Sequence, residues 1–521
     1  MTRFACSRIA LITVLVAVVL APHASWGSPS DSGRERRFTF APTRPPATHG
    51  DGGTAAHAGR RVTIADGRRT WETGIPAAAS GFDAIPRIGG NWPADPTGAI
   101  GRDWILTAVN TSYALYDLSG APVVGPDPLG ALFRLPPGTK VFAPKVVYDQ
   151  YRDTFVLAFL GVNDERRRSW ILLVSMPNAT ADDPASWCGA ILNGDRTTGD
   201  GRQFADYPGL GYSRDHVVVT TNTFAFEDEA FRGATVLAFP KGRLYDCGRT
   251  LRFETFLGDR TRNPDGSAAF TLQPATTVGP GRQLFLLSFQ PGRPNFVILW
   301  RMRETEASLR LNRVAIRVNR VGIGPFATQG GGDLDRANTW WDPGDLRLIN
   351  TFADLDRGRV YAAHVIGRDL GPDTRTDGYV EAAIRWYEIR VQWNLASARL
   401  TRFGTIGEAE TDAGWPTVAT DAAGNLFVTY NRASAVTGEF LSAWVAEIVP
   451  GARRASAALL RAGTARMEAV PGPERWGNYN GVSRSPVDGA FVALVNQVAV
   501  ADGGGAATDV WQQTVHLVSH A

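Results

Sequence analysis

The sequence predicts an all-β fold, a β-propeller of about seven four-stranded blades. Three observations predict it. Short runs of β-branched and aromatic residues alternate with Gly, Pro, Asn and Asp along most of the chain. Amphipathic periodicity of the helical kind is scarce. One unit, made of a head, an apolar run, a tight turn and a second apolar run, recurs with roughly 50 to 75 residues between heads, a period that suits four strands and their loops.

Taken in chain order, the first element is a leader. Arg3 and Arg8 precede the apolar run Ile9–Ala21, and Ser25–Gly27 supplies small residues for a cleavage site, so residues 1–27 read as a secretory signal peptide. The apolar run falls short of the ~20 residues of a spanning helix, so no membrane association is expected after cleavage. Residues 28–60 are rich in Pro, Gly, Ser and Arg and poor in aliphatics, the composition of a disordered linker. A short strand is expected within "RRVTIAD", and residues 61–521 read as one propeller domain with its core at 81–521.

The repeating unit follows. It appears as "DPTGAIGRDWILTAVN" from Asp95, "APKVVYDQYRDTFVLAFL" from Ala143, "FADYPGLGYSRDHVVVTTNTF" from Phe204, "QPATTVGPGRQLFLLSFQ" from Gln273, "RLINTFADLDRGRVYAAH" from Arg347, "WPTVATDAAGNLFVTYN" from Trp415 and "NYNGVSRSPVDGAFVALVN" from Asn478. Further runs such as "WILLVSM", "TVLAFP" and "SAWVAEIV" supply outer strands. Pro96, Pro144, Pro208, Pro274 and Pro416 suit the first residue of a strand, where a missing N–H costs little. The last blade is one strand short, and "RRVTIAD" or Asp83–Gly89 could complete it and join the ends of the ring.

The phrases "DYPGLGYS", "WPTVATDAAGNLFVTYN" and "RWGNYNGVS" resemble those of secreted bacterial β-propeller proteins loosely grouped with sialidase-like propellers. The resemblance runs from about Asn91 onward and implies a fold and an extracellular or periplasmic setting, without a shared activity. The Asp-box pattern Ser-x-Asp-x-Gly-x-Thr-Trp of sialidases has no full match; Thr420–Phe427 keeps its Asp and Gly.

Composition narrows the function classes. Lys+Arg 54 against Asp+Glu 51 gives a net charge of +3, too little for a nucleic-acid face. Of three cysteines, Cys6 leaves with the leader, and Cys188 with Cys247 suggests one disulfide, two unpaired buried thiols being the alternative. The chain reads as a monomer. No Gly-x-Ser-x-Gly elbow, HExxH, CxxC pair or Walker loop occurs, no metal site is expected, and no cofactor is called for; a structural calcium ion has no loop motif to support it.

In an antiparallel hairpin, the start of the first strand and the end of the second share one end. That rule gathers Asp95, Asn110, Lys145, Asp206, Tyr207, Asn222, Gln273, Gln290, His364, Trp415, Asn431, Asn478 and Asn496 at one mouth of the ring. A rim of amides, carboxylates and aromatic rings suits sugar hydroxyls or a peptide backbone. Asn and Asp at strand ends also cap local backbone, and this bland reading carries the greater weight. Trp92, Trp340, Trp341, Trp415 and Trp476 are candidates for stacking on sugar faces, with packing between blades as the commoner role. His216, in a turn beside Asp215, is expected in solvent.

The function expected is that of a secreted, non-catalytic binding or scaffold protein recognising glycan or protein at the mouth. The alternative is a sialidase-like glycoside hydrolase or lyase. It would use carboxylates such as Asp95, Asp206 and Glu474, with Arg134 of "FRLP" as a weak candidate for gripping a substrate carboxylate.

Overall fold

The computed structural model describes residues 36–39, 62–63, 77–88, 93–196, 201–290, 292–293, 295–304, 309–318, 327–328, 340–370, 381–392, 395–452, 454–465, 474–501 and 510–520. The protein is all-β and built from four-stranded antiparallel sheets. The first comprises Thr97–Ile100, Trp104–Val109, Ser112–Asp117 and Pro122–Pro128. The second runs Lys140–Asp149, Thr154–Asn163, Arg168–Pro177 and Cys188–Asn193. The third is Gln203–Tyr212, His216–Ala225, Phe231–Pro240 and Glu254–Phe256. The fourth is Gln273–Val278, Leu284–Phe289, Phe296–Glu304 and Leu309–Arg317.

Thr351–Asp354, Arg359–Arg368, Glu381–Arg390 and Arg399–Ile406 make the fifth, and Asp412–Thr420, Leu426–Ser434, Glu439–Ile448 and Ser456–Arg461 the sixth. In the seventh, Gly481–Arg484, Phe491–Val500 and Val510–Ser519 are joined on the outside by Ala77–Pro86 from the other end of the chain, in the order given by pairs such as Phe82 with Val515. The first strands are neighbours in succession, with parallel pairing of Tyr212 to Thr276 and of Ala275–Val278 to Thr351–Asp354. Gly481–Arg484 lies against Thr97–Ile100.

Apolar residues of adjacent sheets interlock into clusters between them. Val156, Leu173 and Ala190 of the second sheet pack with Val217, Val219 and Leu237 of the third, and Val218 and Val236 pack with Leu286, Ile298 and Trp300 of the fourth. Because strands alternate their side chains across the sheet, such two-sided burial is what near-continuous apolar runs produce. Burial of this kind stabilises by about 25 cal/mol per Å² of apolar surface.

Two sequence expectations change. Arg36–Thr39, inside the stretch read as a linker, is a strand pairing with Cys188–Ile191, and Val62–Thr63 pairs with Ser456 and Ala457, so both extend outer edges. The prolines mark bulges as well as strand starts. Asp95, Ala143, Tyr207 and Trp415 adopt φ of 47°, 54°, 50° and 51°, each directly before a proline, and the ladder slips a step at the last three. Residues 1–27, and Trp92, lie outside the described residues.

Cys188 and Cys247 are joined in a disulfide with Cα atoms 5.5 Å apart, tying the second sheet's outer strand to the connection between the last two strands of the third sheet. No helix among the described residues is long and apolar enough to cross a membrane.

Candidate functional site

Left-handed backbone marks the heads of five inner strands, at Asp95, Ala143, Tyr207, Thr271 and Trp415, and such conformations in non-glycine residues cost about 1–3 kcal/mol each. The heads of different sheets touch. Asn478 donates to Asp95 Oδ1 from its backbone N at 3.1 Å and from Nδ2 at 2.8 Å. The Tyr207 hydroxyl donates to the Asn478 carbonyl at 3.0 Å. Asp206 Oδ1 accepts from the Tyr207 backbone N at 2.7 Å. The rings of Tyr207 and Tyr479 meet edge to face at 6.3 Å. Lys145 Nζ stands 3.2 Å from the centroid of the Tyr479 ring, and the Arg347 guanidinium stacks 4.4 Å over Tyr207.

The electrostatics follow from burial. Lys145 is 9% exposed, and desolvation pulls its amine down to about 7, against a smaller upward pull from Asp95. Burial pushes the Tyr479 hydroxyl well above its ordinary range, and Asp95, Tyr207 and Asp206 nearby push it further. That hydroxyl has no hydrogen-bond partner among the described residues.

The predicted rim divides into two groups. Asp95, Lys145, Asp206, Tyr207 and Asn478 form the central cluster. The amides of Asn110, Asn222, Asn431 and Asn496 do not present a rim; they bind backbone between neighbouring sheets. Asn110 Oδ1 accepts from Ala143 N at 2.5 Å, and Asn222 Oδ1 accepts from Thr271 N at 2.8 Å, Ala143 and Thr271 both having positive φ. Asn431 Nδ2 donates to the Gln497 carbonyl at 2.7 Å, and Asn496 Nδ2 to the Tyr430 carbonyl at 3.1 Å. Gln273 is buried, and Gln290 donates to Asp265. For Asn110 and Asn222 the reason is local chemistry: a left-handed residue leaves an N–H that its own strand cannot use, and a side-chain carbonyl from the neighbouring sheet fills the gap.

Other expectations are corrected by burial. Trp341, Trp415 and Trp476 are buried, and Trp415 Nε1 donates to the Asp342 carbonyl at 2.8 Å, so these rings pack instead of stacking on a ligand. The side chains of Trp340 and Glu474 lie outside the described residues. His216 is buried. His364 is buried with Nδ1 2.9 Å from the Leu346 carbonyl and Nε2 2.9 Å from the Tyr387 hydroxyl. A carbonyl can only accept, so Nδ1 carries the proton of an imidazole that burial holds neutral, down to about pH 4.

Tyr479 and Arg347 were missed among the candidates. Both stand in the quoted unit heads, Tyr479 beside Asn478 and Arg347 ahead of the strand Thr351–Asp354, so reading only strand-end residues passes over them. Among the described residues no group of three or more His, Cys, Asp or Glu side chains is placed to hold a metal ion. At the opposite ends of the inner strands, a small gap is lined by Tyr148, Tyr212, Thr276, Phe352 and Arg484, from five different sheets.

No protein-family model matches the sequence, and no curated protein does. Among solved structures, the chain is similar to the GH93 α-L-arabinofuranosidase of Fusarium graminearum in complex with arabinobiose, with 7% identity, 84% of this chain and 97% of that chain covered, and a TM-score of 0.35. It is similar to the phage phi92 endosialidase at 9% identity, covering 72% and 66%, TM-score 0.36. The WD40 domain of SCAP from fission yeast matches at 10% identity over 81% and 84%, TM-score 0.30. Likenesses of this size bring neither an activity nor a ligand to this chain.

Proposed function

We propose that the chain is an exported β-propeller of seven blades, its ring closed by Ala77–Pro86, that binds a glycan over the cluster of Asp95, Lys145, Asp206, Tyr207 and Tyr479. Export is supported by the leader pattern in residues 1–27. The ring is supported by the succession of inner strands, by the contact of Gly481–Arg484 with Thr97–Ile100, and by the seating of Ala77–Pro86 on Val510–Ser519.

The observation that carries the ligand reading is the unspent hydrogen-bonding capacity of Tyr479. A buried hydroxyl ordinarily finds a protein partner, and leaving it unmade costs about 1–3 kcal/mol. Here it stands among two carboxylates, a lysine and a second phenol drawn from three other sheets. Sugar hydroxyls both donate and accept, so they answer all of these groups. The flanking amides hold the sheets together and leave recognition to the cluster.

A second reading, hydrolysis, is favoured by one feature. Asp95 and Asp206 both act electrostatically on Tyr479 and Tyr207, and a glycosidase needs two carboxyl groups near one bond. A glycan array paired with a chromogenic glycoside panel separates the two. Retention of a glycan by the wild type, weakened at least tenfold in Tyr479→Phe, without turnover of any glycoside, supports binding. Turnover abolished in Asp206→Asn supports hydrolysis. Neither retention nor turnover across both panels sinks the glycan reading.

A further inference from the structure

The chain contains three lysines, Lys140, Lys145 and Lys241, among 54 basic residues. Lys140 is exposed and pairs with Asp164 at 3.1 Å. Lys241 is buried, but its Nζ meets Asp149 at 2.7 Å, and the Tyr245 hydroxyl donates to the same carboxylate at 2.8 Å. Lys145 differs from both. It is buried, lies over the Tyr479 ring, and makes no ion pair or hydrogen bond through Nζ among the described residues.

A buried ammonium without an ion pair or hydrogen bond is expensive even with Asp95 nearby, and the group relieves the cost by giving up its proton. What remains is an amine with a free lone pair, a nucleophile toward carbonyl carbon. A purely structural lysine would be served as Lys241 is served. The surroundings suit a reaction that moves protons: Asp95 can take one up, and the Tyr479 hydroxyl has its proton uncommitted.

We propose that Lys145 is a carbonyl-reactive residue that forms an imine with an aldehyde, such as the open-chain end of a reducing sugar. Nζ attacks the carbonyl carbon, the C=O π pair moves to oxygen, and one N–H proton passes through the cluster to that oxygen, giving a carbinolamine hydroxyl. The second N–H proton passes the same way to the hydroxyl, which leaves as water while the nitrogen lone pair closes C=N. The sum is amine plus aldehyde giving imine plus water, with nothing oxidised or reduced. The inference deepens the glycan reading and rests on the same cluster being its site.

The test uses the purified protein at pH 7 with glyceraldehyde and sodium cyanoborohydride, followed by digestion and mass spectrometry of the three lysine peptides. An amine near pKa 7 is about half neutral at that pH, against roughly 1 in 2,500 for an ordinary lysine, so Lys145 is expected to be alkylated at least 100-fold faster than Lys140. Its labelling rate should also level off above about pH 8. Labelling of Lys145 no faster than that of Lys140, or none at all, overturns the inference. Glycan retention on an array with unlabelled Lys145 would leave the binding reading standing and remove only the imine.

Discussion

The hydroxyl of Tyr207 donates to the backbone carbonyl of Asn478 at 3.0 Å, although 271 positions separate the two residues. This bond spans from the third sheet to the seventh, and it joins a residue in left-handed backbone to the one that caps Asp95. It therefore reports directly on whether the strand heads meet.

Tyr207→Phe removes that donor from the Asn478 carbonyl in a part-buried setting. The expected loss is about 1–2 kcal/mol of stability, read from the midpoint of urea unfolding followed by tryptophan fluorescence. An unchanged midpoint would mean that the two heads do not touch in solution.

Asn222→Ala distinguishes a cap from a ligand-binding amide. The substitution leaves the N–H of Thr271, at φ 50°, without its acceptor and should cost about 2 kcal/mol. Glycan retention should stay within twofold of wild type. Tyr479→Phe should do the reverse, weakening retention with little loss of stability, because its hydroxyl has no protein partner to lose. Swapped outcomes would restore the amide rim as the recognition surface.

The disulfide closes a separation of 59 residues, and the chain-entropy relation assigns such a loop about 4 kcal/mol. The double variant Cys188→Ala with Cys247→Ala should lose an amount of that order in denaturant unfolding, matched by wild type under reductant. Equal stability before and after reduction, with free thiols verified by mass, would contradict it.

His516 lies buried against Ala77–Pro86, opposite Gly81, and burial, helped by Arg461, holds its imidazole proton-free down to about pH 4. In the unfolded chain the ring takes up a proton near pH 6.5. Between these values the unfolded state binds more protons, so stability is fully present above about pH 6.5 and falls as pH drops toward 4. The shift corresponds to about 3 kcal/mol. His516→Leu should reduce the slope of the unfolding free energy against pH within that window, leaving the share due to His364, which burial likewise holds neutral down to about pH 4; a difference of constant size from pH 4 to 8 would assign the effect to packing alone.

Several parts of the site could be read from the chain. Asp95, Lys145, Asp206, Tyr207 and Asn478 were legible because each begins an apolar run after a turn signal, and hairpin geometry sends all such heads to one end. Tyr479 and Arg347 were not, since Arg347 lies ahead of its strand and the place of both is set by contacts with Tyr207 and Lys145 from other sheets. The asparagines were misplaced for a related reason: the backbone N–H that Asn110 or Asn222 satisfies belongs to the next sheet and is orphaned only by that sheet's positive φ.

Residue order alone determined the all-β class, the repeating hairpins and the positions of their turns, because alternation, β-branching and Gly or Pro punctuation act within a few residues. Tertiary structure decided what those hairpins bring together: the uncompensated burial of Lys145, the unpartnered hydroxyl of Tyr479, and the use of the amides as staples between sheets. Solvent exclusion and partner choice are properties of the packed assembly, set by contacts hundreds of residues apart, and no local pattern encodes them.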